Sequence, residues 1–346
     1  MFTGTDAVPF EHFMDQALYG PDGFYTSGRG RAGRRGDFLT SPEVGPLFGA
    51  VVARFLDAEW VRLGRPDEFT VVEAGAGPGA LARAILAAAP ACRAALRYIA
   101  VDVSADQRAQ HPDGVESRAE LPDGPVVGVI LANELLDNLP FRLAVHDGHW
   151  REAYVRPTAG TLEEVLSAPF APRPAVLPEV APLGARAPLQ TRAAEWIADA
   201  LARLDQGTLV AFDYAVATTS ELAERPWRDW LRTYRDHTRG SHYLDAPGTQ
   251  DITADVCVDQ LPPADTVRTQ AQWLQLHGIA ELVAAGRAYW EEHAAHPDLR
   301  ALTMRSRVSE SEALLDLDGL GSFTVIEWRL RSGQGIRGEG AAFRTG

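Results

Sequence analysis

The stretch from residue 70 to residue 90, TVVEAGAGPGALARAILAAAP, constrains the fold more than any other part of the sequence. An apolar run is followed by three closely spaced glycines and then by an alanine-rich segment of helical composition. Glycines let the backbone approach a ligand closely, and the first turn of a helix offers free amides to it. The stretch therefore predicts a strand, a loop and a helix that bind a phosphate-like or nucleoside-like ligand.

Strand and helix signals alternate from Phe69 onward. The segments that read as strands are FTVVEAG, RYIAVDV, PVVGVILANE, GTLVAFDYA, DTVRTQ and, last, GSFTVIEWRL. Segments with helical periodicity separate most of them, which predicts an α/β fold with a mostly parallel sheet and helical crossovers.

Composition narrows the class of protein. The chain has 346 residues, of which 46% are hydrophobic, enough for one enlarged domain or two. The formal net charge of -14 disfavours nucleic acid as a partner, because a negative field repels phosphate backbones. No run approaches the roughly 20 apolar residues of a membrane span, and the N-terminus lacks a leader pattern. We expect a cytoplasmic protein that can form oligomers.

Metal chemistry is not expected from this sequence. Cys92 and Cys257 belong to no CxxC-type motif, and the nine histidines include no HExxH spacing. We expect both cysteines to be reduced and structural.

Turn residues and changes in composition divide the chain into segments. Residues 141 to 155 read as a hairpin around an Asp-Gly turn, and seven prolines from Pro157 to Pro188 predict an irregular excursion. The segments are an N-terminal helical or lid segment 1–65, a core 66–140 and 190–331, an insertion 141–189 with 225–262 on the substrate side, and a flexible tail 332–346.

The glycine loop leaves the ligand open between two classes. Gly75, Gly77 and Gly79 satisfy both the GxGxG spacing of enzymes that use S-adenosyl-L-methionine (SAM) and the GxGxxA spacing of NAD enzymes. Asp102 suits either ligand, because both offer ribose hydroxyls to a carboxylate. Glu73 favours SAM, since an acid beside the loop attracts the methionine ammonium and repels a pyrophosphate. An NAD-dependent dehydrogenase stays the alternative.

Several further blocks occur in one order along the chain. They are GPDGFYTSG, RRGDFLTSPEVGPLFG, VVEAGAGPGALARAIL, YIAVDVSADQRAQ, LANELLDNLP, WREAYV, FDYA, TYRDH, APGTQDITADV and TQAQWLQLHGI. From about Gly20 to about Gly278, the chain resembles the MidA-like SAM-dependent methyltransferases. That family includes a mitochondrial complex I assembly factor regarded as a protein-arginine methyltransferase.

The resemblance implies a Rossmann-like class I methyltransferase fold, with about seven strands of which the last is antiparallel. It implies SAM as cofactor, S-adenosylhomocysteine as product and a protein acceptor that is methylated at arginine. It also implies that GDFLTSPE packs over the cofactor and that the insertions after LANELLDNLP face the protein substrate.

Candidate site residues follow from the strand ends. Asn133 and Glu134 end the fourth strand, at the edge where α/β sheets place ligands, so they are expected to face the reacting centre. An arginine acceptor needs carboxylates that orient its guanidinium. The candidates are Glu134, Asp137, Asp213 and Asp251, with Glu134 as the main one. For Glu134 and Asp137 the alternative is a carboxylate that complements a helix dipole.

The segment before residue 45 is a candidate lid. Its residues Gly36, Asp37, Thr40 and Ser41 are expected to contact the cofactor, while Thr40 or Ser41 also fits as the N-cap of the following helix. The basic run at residues 29 to 36 reads as a solvated loop or as a segment that orders on a partner's acidic surface.

Departures from the family lie on the substrate side. Ala215 replaces the glycine of Asp-Tyr-Gly, Asp255 stands where a histidine is expected, and Asp229 and Trp230 replace Gly-Thr. They keep open a second alternative, an inactive fold that serves as a binding or assembly module. Polar residues around TYRDH and TQDITADV predict a wall of the site or a capped helix start. They are Tyr234, Arg235, His237, Gln250, Asp251 and Thr253.

Overall fold

The computed structural model describes residues 6–27, 40–235 and 238–331. A seven-stranded sheet forms the centre of the molecule, and we call it the central sheet. Its strands, in order across the sheet, are Thr266–Thr269, Thr324–Leu330, Leu204–Asp213, Val126–Asn133, Phe69–Ala74, Leu96–Val101 and Glu116–Arg118.

Six strands of the central sheet run parallel, and Thr324–Leu330 runs antiparallel to both of its neighbours. This is the mostly parallel sheet that the alternation of strands and helices predicts, with the antiparallel last strand that the family resemblance implies. Alternate residues of its strands enter two cores: Val71 packs on one face, and Val72 packs on the other. Burial on both faces explains why these strands read as continuous apolar runs.

Helices cover both faces of the central sheet. Helices Pro46–Arg62 and Ala80–Ala87 contribute to one core, and Thr191–Arg203 contributes to the other. The remaining helices are Phe10–Tyr19, Ser41–Val44, Ala105–Arg108, Thr219–Glu224, Trp227–Trp230, Gln270–Leu276, Ile279–His293 and Leu299–Leu315.

A second sheet carries the predicted hairpin. Strand Arg142–His146 pairs antiparallel with Trp150–Pro157, as the Asp-Gly turn predicts. Its other strands are Val8–Pro9, Leu162–Pro169 and Arg186–Leu189. The prediction of an irregular excursion is wrong for Leu162–Pro169, which pairs with the hairpin. Its extended form depends on this partner strand and not on its own mixed polar sequence.

Two small sheets lie on the predicted substrate side. Strand Leu231–Arg235 pairs with Thr238–Arg239 and Asp251–Ala254, while Ala215–Val216 pairs with Val256–Cys257. The first helix, Phe10–Tyr19, packs in one core with residues of the second sheet and of this region. The N-terminal segment thus approaches the substrate side through Phe10–Tyr19 and the central sheet through Pro46–Arg62.

The long helical run after Gln270 is interrupted. Gly278 adopts φ +85°, so the run divides into Gln270–Leu276 and Ile279–His293. A left-handed residue cannot continue a right-handed helix. Helix Leu299–Leu315 then packs against Ile279–His293 as a hairpin of helices that the sequence analysis did not identify.

Within the described ranges, no helix combines the length and the apolar character that crossing a bilayer needs. The same ranges contain no cluster of three metal-ligating side chains. Cys92 and Cys257 are both buried and free.

Candidate active site

A cavity of about 480 Å³ lies at the carboxyl ends of four neighbouring strands of the central sheet. From one end to the other, these strands contribute Glu134, Gly75, Asp102 and, just after the edge strand, Leu121 to its lining. Four strands at the usual spacing of about 4.8 Å span about 14 Å, which suits an elongated ligand. The cavity therefore follows the sheet edge that the sequence assigned to a ligand.

The glycine loop borders the middle of the cavity. Gly75, Gly77 and Gly79 have φ of +69°, +53° and +80°, a region that side chains strongly disfavour. A Cβ on Gly77 would have no atom within 4 Å, so the space beside this backbone is open. Gly75 and Gly77 line the cavity, whereas Gly79 lies at the N-cap of helix Ala80–Ala87. The glycines thus serve the turn itself as well as close approach to a ligand.

Asp102 ties the loop to the end of the neighbouring strand. Its Oδ2 accepts a hydrogen bond from the amide of Gly77 over 2.8 Å, and its Oδ1 accepts one from the amide of Ser104 over 2.8 Å. Burial raises the pKa of the Asp102 carboxyl, and these amide hydrogen bonds oppose the shift. Each carboxylate oxygen keeps further lone pairs, so Asp102 can also accept from a ligand hydroxyl.

Glu73 is the buried acid at the end of strand Phe69–Ala74. It is 4% exposed and lines the cavity, and Tyr98 donates its hydroxyl to Glu73 Oε2 over 2.6 Å. Burial raises the pKa of Glu73 to about 7, against the opposing hydrogen bond from Tyr98. A cationic group nearby would favour the carboxylate form. Glu73 therefore suits a ligand that carries a positive charge.

Asn133 and Glu134 stand at the end of strand Val126–Asn133 and line the cavity. Glu134 has φ +51°, and its amide donates to the carbonyl of Phe212 over 2.8 Å. Asn133 Nδ2 donates to Glu134 Oε1 over 3.2 Å, while Asn133 Oδ1 is buried without a partner. A left-handed glutamate costs on the order of 1 kcal/mol and is typical of functional positions.

The carboxyl of Glu134 has a raised pKa. Its removal from water raises its pKa well above the usual value, and Asp137 and Glu43 add to the shift. The backbone amide of Ser41 and the side chain of Asn133 hydrogen bond to it and oppose the shift. Only a three-residue turn, Leu136–Asn138, follows Glu134. The dipole of an α-helix thus has no role at this position.

The other candidate carboxylates do not line the cavity. Asp213 accepts hydrogen bonds from the amides of Leu136 and Tyr214, both over 2.9 Å. Asp137 accepts one from the hydroxyl of Thr253. Burial raises the pKa of Asp137 to about 6 and that of Asp213 well above its usual value. These two residues fix the backbone and the turn behind Glu134.

Asp251 lies under an aromatic side chain of the cavity wall. Its Oδ1 accepts from the hydroxyl of Tyr25 over 2.9 Å, from Asn138 Nδ2 over 3.0 Å and from the amide of Ile252 over 2.9 Å. Burial raises the pKa of Asp251 to about 7, and the charge of Asp137 adds to the shift. Of the four predicted carboxylates, the cavity is lined by Glu134 alone.

Two of the four residues of the predicted lid lie within the described part of the chain. Thr40 lines the cavity and is the N-cap of helix Ser41–Val44, with a capping box to Glu43. Ser41 is fully buried, and its hydroxyl donates to Gln270 Oε1 over 3.0 Å, away from the cavity. Gly36 and Asp37 lie outside the described residues, as does the basic run.

Several lining residues were not predicted from the sequence, and three aromatic side chains and one amide are among them. Tyr19 ends the first helix, Tyr25 follows in the next turn, Asn138 ends the turn behind Glu134, and Trp196 lies on helix Thr191–Arg203. Two of them stand in quoted motifs, GPDGFYTSG and LANELLDNLP. Their distance along the chain from the glycine loop hid their place in the cavity.

The predicted wall around residues 250 to 255 is strand, so the alternative of a helix start is wrong. Gln250 Nε2 donates to the carbonyls of His242 and Asp245, and its side chain does not line the cavity. His237 lies outside the described residues.

The departures from the family pattern have local explanations. Ala215 lies in an extended strand and has no positive φ, so its Cβ is tolerated. Asp255 Oδ1 forms an ion pair with Arg232 Nη2 over 2.8 Å, and Arg225 Nη1 donates to its Oδ2 over 3.2 Å. Trp230 is a fully buried core side chain.

The lining residues fit SAM. Glu73 and the unpartnered Asn133 Oδ1 would hold its ammonium group, Asp102 its ribose hydroxyls, and Val103 and Leu121 the flat adenine. The order of these groups along the sheet edge matches the order of the parts of the ligand. A dinucleotide pyrophosphate would instead meet the buried acid Glu73.

The comparisons with known proteins agree with this site. The profile of a family described as "Putative S-adenosyl-L-methionine-dependent methyltransferase" matches residues 51–279. That range includes the glycine loop, Asp102 and Glu134.

Two curated relatives illustrate the similarity in sequence. A Drosophila melanogaster protein named protein arginine methyltransferase NDUFAF7 homolog, mitochondrial, is 27% identical over 297 residues, which cover 73% of this chain and 65% of the fly protein. Human protein arginine methyltransferase NDUFAF7, mitochondrial, is 34% identical over 82 residues, which cover 24% of this chain and 19% of that protein. The chain thus spans just under two thirds of the fly relative and about a fifth of the human one.

Two solved structures from Burkholderia thailandensis share the fold. One, described as a "likely methyl transferase" bound to S-adenosyl-homocysteine, is 27% identical with a TM-score of 0.78, covering 95% of this chain and 89% of that one. The other, described as a native crystal structure, is 26% identical with a TM-score of 0.77, and the match covers 95% of this chain and 88% of that one. The predicted class of fold is confirmed.

Proposed function

Since the chain belongs to the family of SAM-dependent methyltransferases, with SAM as its cofactor, we propose that it transfers the methyl group to a nitrogen of an arginine side chain in a protein. The names of the fly and human relatives support arginine as the acceptor. The family assignment and the acid beside the glycine loop argue against the dehydrogenase alternative.

The position of Glu134 is the observation that carries the proposal. Its carboxyl lines the cavity at the strand end beside the glycine loop, on a backbone with φ +51°. Strain of this kind persists where the surrounding structure fixes a side chain for a task. A guanidinium beside Glu134 would lower the pKa of its carboxyl and stabilise the carboxylate, which can then accept two parallel hydrogen bonds.

Bound SAM supplies an electrophilic methyl group on a positively charged sulfur. The chain's own task is to align an arginine nitrogen with that methyl and to exclude water. In the transfer, the bond from nitrogen to carbon forms as the bond from sulfur to carbon breaks, and the nitrogen then loses one proton. In this proposal, Glu134 orients the guanidinium and accepts that proton.

The surroundings of Glu134 favour a cationic acceptor. Asp137, Asp213 and Asp251 are each 4% exposed or less and stand behind it. Their carboxyls carry raised pKa values because each is buried near other acids. A positive charge in the cavity would relieve this repulsion, whereas an acidic or neutral acceptor would not.

The test is methyl transfer from labelled SAM to an arginine-containing peptide, with wild type and Glu134→Gln compared at equal SAM saturation. We expect the variant to bind SAM normally and to lose at least about a hundredfold in transfer rate, the usual range for a general base. Glu120→Gln is the matched control, because Glu120 lines the opposite end of the same cavity.

Wild-type rates in Glu134→Gln would contradict the role of Glu134. If wild type bound SAM but methylated neither the peptide nor any protein of a cell extract, the inactive binding module would become the better account.

A further inference from the structure

Tyr19 and Tyr25 form a stacked aromatic pair on the cavity wall. Their ring centroids are 5.6 Å apart at an interplanar angle of 21°, and both side chains are half-buried and line the cavity. Tyr19 ends helix Phe10–Tyr19, and Tyr25 lies in the turn that follows. Neither ring belongs to the central sheet or to the glycine loop. Their position calls for a function other than holding the SAM nucleoside.

Both hydroxyls are hydrogen bonded within the protein. Tyr19 donates to the carbonyl of Asn138 over 3.2 Å, and Tyr25 donates to Asp251 Oδ1 over 2.9 Å. Asn138 Nδ2 also donates to Asp251 Oδ1 over 3.0 Å, so one network fixes both rings. Because both hydroxyl hydrogens are already donated, each residue can still offer a ligand its aromatic surface and the acceptor lone pairs of its oxygen, but no hydrogen-bond donor.

The pair stands on the acceptor side of the cavity. Asn138, which holds Tyr19, lies four residues after Glu134 in the same connecting segment. Burial and the charge of Asp251 raise the pKa of both tyrosines well above the usual value, so both side chains stay neutral. The acids Asp251 and Asp137 lie near both rings. A planar cation is attracted by an aromatic face and by nearby carboxylates together.

We propose that Tyr19 and Tyr25 are specificity-determining residues that receive the guanidinium of the acceptor against their rings and reject neutral side chains of the same shape. The inference rests on the proposed arginine methylation and adds the part of the site that selects charge. Glu134 would then bind one edge of the guanidinium while the aromatic pair covers a face.

The test measures binding without catalysis. The full chain is saturated with S-adenosylhomocysteine and titrated calorimetrically with the peptide acetyl-Gly-Gly-Arg-Gly-Gly-amide and with its citrulline counterpart, which is neutral and nearly isosteric. We expect wild type to prefer arginine by about tenfold or more, the range of a partly desolvated cation–π contact with added charge attraction.

Three variants separate the ring from the hydroxyl. Tyr19→Leu and Tyr25→Leu should reduce the arginine preference to about threefold or less, since most of the cation–π attraction is removed with the ring. Tyr25→Phe keeps the ring and should keep the preference. Tyr289→Leu is the control, because Tyr289 stacks on His293 in a helix outside the cavity. Unchanged affinity for S-adenosylhomocysteine shows that each variant is folded.

The outcomes distinguish this inference from the proposed function. Undiminished arginine preference in both leucine variants would overturn the aromatic selection and leave arginine methylation standing. If wild type bound S-adenosylhomocysteine but did not distinguish the two peptides, or bound neither, the arginine acceptor itself would be wrong and this inference with it.

Discussion

The amide of Gly77 donates to the carboxylate of Asp102 over 2.8 Å, which joins two residues that are 25 positions apart in the chain. The bond closes the glycine loop over the end of the neighbouring strand. Both residues line the cavity, so a bound nucleoside would lie beside the backbone of Gly77 and the carboxylate of Asp102. Binding of the cofactor should therefore depend on both at once.

Replacement of Asp102 should weaken cofactor binding strongly without unfolding the protein. In Asp102→Ala the amides of Gly77 and Ser104 lose their acceptor, and ribose hydroxyls lose their partner. Hydrogen bonds to a charged group contribute about 1.5–3 kcal/mol each, so affinity should fall by at least about tenfold. Calorimetric titration with SAM, S-adenosylhomocysteine and NAD measures this. Tight NAD binding by wild type would revive the dehydrogenase alternative.

A methyl group at Gly77 should obstruct the cofactor. Gly77→Ala places a Cβ in open space beside the cavity on a backbone with φ +53°, at a conformational cost of about 1 kcal/mol. Gly64→Ala is the matched control, since Gly64 has φ +82° and equally open surroundings but lies outside the cavity. Both variants should lose similar thermal stability. Weaker SAM binding in Gly77→Ala alone is the expected result, and equal affinities would show that no ligand occupies that space.

The affinity for SAM should rise with pH around neutrality. Burial raises the pKa of Glu73 to about 7 in the free protein, and the carboxylate form is the one that attracts an ammonium group. Below that pH, binding must first remove a proton from Glu73, so affinity falls toward pH 5.5. Titrations from pH 5.5 to 8.5 test this, with Glu73→Gln expected to bind weakly at every pH. A wild-type profile that is flat over this range would exclude Glu73 from the ammonium site.

Folding stability should change in the opposite direction with pH. Burial raises the pKa of Asp251 to about 7, above that of an unfolded aspartate near 4. Between these values the folded chain binds more protons than the unfolded chain, so the free energy of unfolding decreases as pH rises from about 4 to 7. In Asp251→Asn this decrease should be smaller. Urea unfolding at several pH values measures it, with the exposed Asp123→Asn as control. An identical pH dependence in both variants would contradict the shift.

Local sequence was sufficient for six of the seven strands of the central sheet, but it did not predict the short polar edge strand Glu116–Arg118. The inner strands are apolar because helices cover both faces, and the glycines at residues 75, 77 and 79 are required by their positive φ values. Both signals come from neighbouring residues. By contrast, strand Leu162–Pro169 has a mixed sequence without regular alternation, and it is extended beside its partner strand Trp150–Pro157. Propensity alone does not predict such pairing.

The sequence by itself determined the class of fold, the cofactor loop and the acids Glu73, Asp102 and Glu134, because strand ends and glycine turns are written in consecutive residues. Only the tertiary structure decided which polar residues share the cavity. It left Asp213 and Asp251 behind Glu134 as supports, and it brought Tyr19 and Tyr25 to the wall. These residues are far apart along the chain, so their contacts depend on how the sheets and helices pack and not on any local pattern.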